Sequence, residues 1–149
     1  MKKRIILGVF YIGIGFLLGE FLFKDKIELV KHLKNTDTYY FLQEGVYQKK
    51  EVLKTSTSTI NQKLIDYENK KYYVYVGITK DLEVLEKLKE IYENQNIKIH
   101  IKEKNLSNNE FKENLTQFDL LIKETEEEDQ ILTIEKVVLA NYEEVFKKK

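Results

Sequence analysis

The chain has 149 residues, enough for one domain of ordinary size plus attachments. Its 25 basic and 25 acidic side chains cancel, so no overall field favours nucleic acid as a partner. The absence of cysteine excludes disulfides, thiolate metal sites and thiol nucleophiles, and leaves the compartment open.

Residues 1–23 begin with Lys2, Lys3 and Arg4 and continue as an apolar run interrupted only by glycines and Glu20. At about 1.5 Å per residue, such a helix covers the roughly 30 Å of hydrocarbon in a bilayer. A cleaved signal peptide has a shorter apolar stretch followed by a small-x-small site, and neither feature is seen. The expectation is a retained transmembrane helix, a single-pass anchor with its N-terminus inside and the remaining chain translocated. Residues 24–37 read as a short juxtamembrane linker, amphipathic through Ile27, Leu29, Val30 and Leu33. His32 has no companion His, Cys or carboxylate pair and reads as a surface residue rather than a metal ligand.

A first strand is expected over residues 39–47 and a short helix over residues 48–54. The Thr55-Ser56-Thr57-Ser58-Thr59 run then ends that helix, because its hydroxyls compete for backbone hydrogen bonds. No base accompanies these serines, so they read as a polar loop rather than a nucleophile. Residues 60–67 make a second strand, and a polar turn over residues 68–71 leads into the third, K-Y-Y-V-Y-V-G-I, at residues 71–78. Thr79 is placed to cap a helix carrying Leu82, Leu85, Leu88 and Tyr92 at helical spacing, ending near Asn94. Ile97, Ile99 and Ile101 alternate with Lys98, His100 and Lys102 in a fourth strand, with His100 on its solvated side. Ser107-x-x-Glu110 and Thr125-x-x-Glu128 read as capping boxes opening two further helices. The last carries a stripe of Leu132, Val138, Tyr142 and Val145, to be packed against the domain or a partner helix.

Two segments repeat. Tyr40-Phe41-Leu42-Gln43-Glu44-Gly45-Val46 aligns with Tyr72-Tyr73-Val74-Tyr75-Val76-Gly77-Ile78, glycine on glycine, and a helix-like run follows each. The implied fold class is α+β, a split β-α-β-β-α-β (ferredoxin-like) antiparallel four-stranded sheet with two helices on one face. Alternation places Phe41 and Gln43 on the face of Lys71, Tyr73 and Tyr75. A solvated face normally carries charges and threonines, so this aromatic face is expected to stay open and meet a ligand, the alternative being that the C-terminal helices bury it as ordinary core.

With the first helix and the helix after Gly77, these strands resemble the SPOR domain family over residues 38–104, leaving residues 105–149 as a C-terminal helical extension. Members of that family are bacterial modules that bind septal peptidoglycan, preferring glycan strands stripped of stem peptides. Many are single-pass membrane proteins acting in division or sporulation, with the module outside. The resemblance implies glycan contacts at Gln43 and Val46 in the first strand, and at Lys71 and Tyr73 in the third. Val46 departs from the small hydroxyl residue usual at its position. Glu44 stands where the family is apolar and core-facing, a costly placement unless it is paired or sits at a bulge.

The chemistry of a sugar polymer suits the residues. Phe41, Tyr73 and Tyr75 offer a platform for pyranose C–H faces, Gln43 offers amide donors and an acceptor, and Lys71 offers a cation for a lactyl carboxylate. Catalysis is not expected: glycoside hydrolysis needs two carboxylates at a set separation, and the acidic run at residues 124–129 reads as a solvated helix start. No phosphate-binding glycine loop and no metal cluster is visible, so no cofactor is expected. The competing expectation is a protein–protein adaptor in a membrane complex of division or sporulation, with the C-terminal helix as its docking element.

Overall fold

The computed structural model describes residues 38–147. The expected anchor at residues 1–23 and the linker at residues 24–37, with His32, lie outside the described residues. Among the described residues no helix is long and apolar enough to cross a membrane.

The elements run β1 (Thr38–Tyr47), α1 (Lys50–Ser56), β2 (Leu64–Glu68), β3 (Lys71–Thr79), α2 (Leu82–Asn94), β4 (His100–Asn105), α3 (Asn109–Glu124) and α4 (Glu128–Phe146). All four strands join one antiparallel sheet in the order β2-β3-β1-β4. The protein is therefore α+β, with the two halves of the internal repeat as the paired central strands. The turn between β2 and β3 is built on Asn69 and Lys70, both left-handed at φ 51° and 61°. Two successive left-handed residues match the twist of the strands they join. Asn96, at φ 60°, turns the chain after α2 so that the Ile97 N–H reaches back to the Tyr92 carbonyl.

Several local expectations shift. Asp81, not Thr79, caps α2, accepting from the N–H groups of Glu83 and Val84. The Thr79 hydroxyl is instead committed to Asp119 at 2.7 Å. The cap of α3 is Asn108, which accepts from the Phe111 N–H. Thr125 closes α3 rather than opening α4, its hydroxyl donating to the Leu121 carbonyl. At α2 and α3 the polar residue nearest the actual chain reversal takes the cap, and at α2 the neighbouring Thr79 hydroxyl is drawn into tertiary contact. β2 begins at Leu64 and β4 at His100, so the expected strands at 60–67 and 97–102 are displaced toward their C-terminal ends. Ile60 and Ile99 are buried ahead of these strands rather than within them.

The second face of the sheet is covered in part by the C-terminal helices, the alternative to an open aromatic face. On one face, Leu42 and Val76 form a core with Val84, Leu85, Leu88, Ile91 and Tyr92 of α2. Ile122 of α3 and Ile131 of α4 join the same core. Phe41 and Tyr75, which alternate with Leu42 and Val76, face the other way and are covered by α4 through Tyr142. Tyr39, Phe41, Tyr75, Phe111, Tyr142 and Phe146 form a continuous chain of ring contacts with centroids 4.7–5.9 Å apart. Tilted and edge-on contacts at such distances are favourable beyond the area they bury.

The helical hairpin α3–α4 also closes an edge. The register of β2 ends at Leu64 opposite Tyr75, so from Val76 onward β3 has no strand on that side among the described residues. Side chains meet its backbone groups instead. The Tyr92 hydroxyl donates to the Val76 carbonyl at 2.8 Å, the Ile78 N–H donates to Glu135, and the Lys80 N–H donates to Asp119 at 3.0 Å. Gly77 permits the approach: a Cβ there would lie 3.1 Å from Leu42 Cδ1 and 3.3 Å from Glu135 Oε1. Lys87 of α2 caps the far end of α3 by donating to the carbonyls of Ile122, Lys123 and Thr125. Lys147 ties the end of α4 to β2 through Asp66, 2.7 Å away, and the Ile65 carbonyl.

Candidate functional site

The six residues expected to meet a ligand lie on one face of the central strands, and the fold divides them. Gln43 stands opposite Tyr75, and Val46 opposite Tyr73, in the β1–β3 register. Phe41, Gln43 and Tyr75 are buried. Val46 and Lys71 are exposed and Tyr73 is half-buried. The expected open platform of Phe41, Tyr73 and Tyr75 is thus corrected to Tyr73 alone. The cause is the apolar stripe of α4. Val138 and Tyr142 had to be removed from water, and the aromatic rings of β1 and β3 offered the matching surface.

Lys104 completes the cover. Its ammonium lies 4.5 Å from the Phe41 ring centroid and 4.4 Å from that of Tyr75, within cation–π range, and 3.6 Å from Asp66. Burial, with Asp66 and Tyr73 adding to it, pushes the Tyr75 hydroxyl up to about 12, so it stays a neutral phenol at any physiological pH.

The uncovered strip gains residues from β4. His100 pairs with Gln43 and Lys102 with Phe41 across the β1–β4 register, which brings both onto the same face. Both are exposed, and the Lys102 ammonium stands 5.6 Å from the centroid of the Tyr73 ring. Sequence alternation put His100 on a solvated side but gave no means of assigning that side to the Gln43 face, because the register between β1 and β4 is a tertiary fact. At the boundary between covered and open surface sits Gln43. Its Oε1 is buried and accepts no hydrogen bond within the protein. An unpaired buried acceptor costs about 1–3 kcal/mol, and a donor could recover that cost only where the cover over Gln43 gives way.

Glu44 meets both conditions that make its position tolerable. The register shifts between Gln43 and Gly45 leave it at a bulge, and both its carboxylate oxygens accept from the Tyr47 hydroxyl at 2.9 Å. Burial and then this carboxylate push the Tyr47 hydroxyl up to about 12. Among the described residues no group of three His, Cys, Asp or Glu side chains stands close enough together to hold a metal ion.

The exposed arrangement is a shallow surface with one aromatic ring, an imidazole and two ammonium groups, and the unpaired Gln43 acceptor lies sealed at its margin. It suits the reversible recognition of a polar, anionic, ring-containing ligand. Comparison of the chain with family models, with curated proteins and with solved structures finds no match in any of the three.

Proposed function

We propose that this chain is a membrane-anchored, SPOR-like module that binds peptidoglycan glycan strands at the division or sporulation septum, outside the cytoplasm. Its core is read as a split β-α-β-β-α-β sheet of ferredoxin-like type, elaborated by the α3–α4 hairpin. The element order up to β4 and the strand order β2-β3-β1-β4 support that reading. The observation that carries the ligand assignment is the Tyr73 ring, partly open beside the exposed Lys102 ammonium, with the unpaired Gln43 acceptor sealed at the margin of the same strip. A sugar hydroxyl or N-acetyl N–H is the donor that acceptor lacks. Tyr73 then supports the pyranose face, while Lys71, His100 and Lys102 attract the lactyl carboxylate of a glycan freed of stem peptide. With few contacts on a shallow surface, affinity should be micromolar, about −8 kcal/mol.

The adaptor reading, with the C-terminal helix as docking element, has less support. Val138, Leu139 and Tyr142 already spend their apolar surface inside the domain.

The test is cosedimentation of the full chain, in detergent, with purified sacculi before and after amidase treatment. Tyr73→Ala and Lys102→Ala should each lower retention. Tyr67→Ala should leave it unchanged, because Tyr67 is exposed on the opposite face, stacked on Tyr72. A folded wild type retained by neither preparation would overturn the proposal.

A further inference from the structure

Asp119 and Glu135 are the only carboxylates among the described residues that are buried. Both belong to the α3–α4 hairpin, and both are spent on the same short, unpaired edge of β3. Glu135 takes the Ile78 N–H on Oε1, and its Oε2 has no hydrogen-bond partner. Asp119 takes the Thr79 hydroxyl and the Lys80 N–H. Among the described residues, the nearby cations have other partners. Lys123, the cation facing Asp119, is itself paired with Asp81 and Glu83 of the α2 start. Lys87 of α2 is committed to the carbonyls ending α3, and the Lys80 ammonium lies over the Tyr39 ring. From α2, Glu135 is faced by the Tyr92 hydroxyl, and Asp119 adds a further acid beside it.

We propose that the α3–α4 hairpin is a pH-set strap, held shut on β3 while Asp119 and Glu135 carry protons and loosened as they lose them. The physical argument is the cost of charge in that place. An ionised Glu135 would have one oxygen sealed from water without a donor, and a second negative charge at Asp119 would add repulsion. Burial pushes Asp119 up to about 7, against the opposing Thr79 and Lys80 hydrogen bonds, and pushes Glu135 well above the ordinary carboxylate range. In an opened hairpin both return to about 4. The open form therefore binds fewer protons, and rising pH favours it from about pH 4 up to the closed-state values. Opening would uncover Phe41, Gln43 and Tyr75, extending the strip to the full platform. That consequence rests on the glycan reading above, whereas the movement of the hairpin does not.

The experiment is hydrogen exchange followed by mass spectrometry on the full chain in detergent micelles, from pH 5 to pH 9, corrected for intrinsic exchange. It involves no glycan, so it can fail or succeed independently of the binding assignment. Amides in residues 137–142 of α4 should lose protection with rising pH, up to about tenfold per pH unit for each proton released. Residues 39–42 of β1 should keep theirs. Glu135→Gln and Asp119→Asn, which preserve shape and the acceptor oxygen, should each flatten the slope. A pH-independent α4 would overturn the strap, as would loss of protection in step with β1. A wild-type slope surviving in either folded variant would do the same.

Discussion

One sheet face carries two regions that look alike in sequence and behave differently in the fold. Phe41 and Tyr75 lie in an aromatic cluster under Tyr142 with no meaningful exposure, at 0% and 3%. Tyr73 and Val46, only a few residues away on the same two strands, remain partly or largely open beside Lys102. The first pair holds the domain together, and the second is available to a ligand. An aromatic residue on the second face of a strand thus identifies a surface in need of contact. Whether the contact is the chain's own helix or another molecule depends on where that helix ends. Here it ends at Phe146, and the next residue, Lys147, is clamped to Asp66.

The sharpest way to break this contrast is to truncate one ring in each region. Phe41→Ala should cost about 3–5 kcal/mol in denaturant unfolding, since it empties a site at the centre of the aromatic cluster. Tyr73→Ala should cost under about 1 kcal/mol, because the ring is partly in water already, while removing sacculus retention. Equal stability losses would mean that both rings are structural.

The close approach of α4 to β3 can be probed at Gly77. Gly77→Ala should destabilise by about 1–3 kcal/mol, because Leu42 and the carboxyl of Glu135 must both move to admit a methyl group. Unchanged stability would show that the hairpin yields at little cost.

The carboxylates predict a pH dependence of known sign. Their closed-state values are raised, so the stability they contribute is complete below about pH 4 and is lost as pH rises toward the closed-state values, about 7 for Asp119. Each contributes a slope of up to about 1.4 kcal/mol per pH unit inside that window. Chemical denaturation at pH 5 and pH 7 should show the wild type weakening and Glu135→Gln weakening less. The smallest expected effect is Lys147→Ala, worth under about 1 kcal/mol because the ion pair with Asp66 is partly exposed. It should appear as faster exchange at the end of α4 with little change in the melting midpoint.

The sequence by itself determined the elements and their class. Aromatic and β-branched residues made β1 and β3, the leucine spacing made α2, and the amphipathic stripe made α4, because composition and periodicity are local properties of the chain. The family resemblance marked Glu44 as a position that needs a bulge or a partner, and the fold has both there. Caps were less legible. Thr79 and Asp81, or Ser107 and Asn108, are chemically similar neighbours, and the choice between them depends on which one lies at the turn. Three things were decided only by tertiary structure. One is the sharing of the Gln43 face with His100 and Lys102, which requires the β1–β4 register. Another is the burial of Phe41 and Tyr75, which requires knowing where α4 packs. The last is the pairing of Asp119 and Glu135 with a strand edge that exists only because β2 begins no earlier than Leu64, opposite Tyr75. All three join residues far apart in sequence, and no local pattern encodes the distance between them.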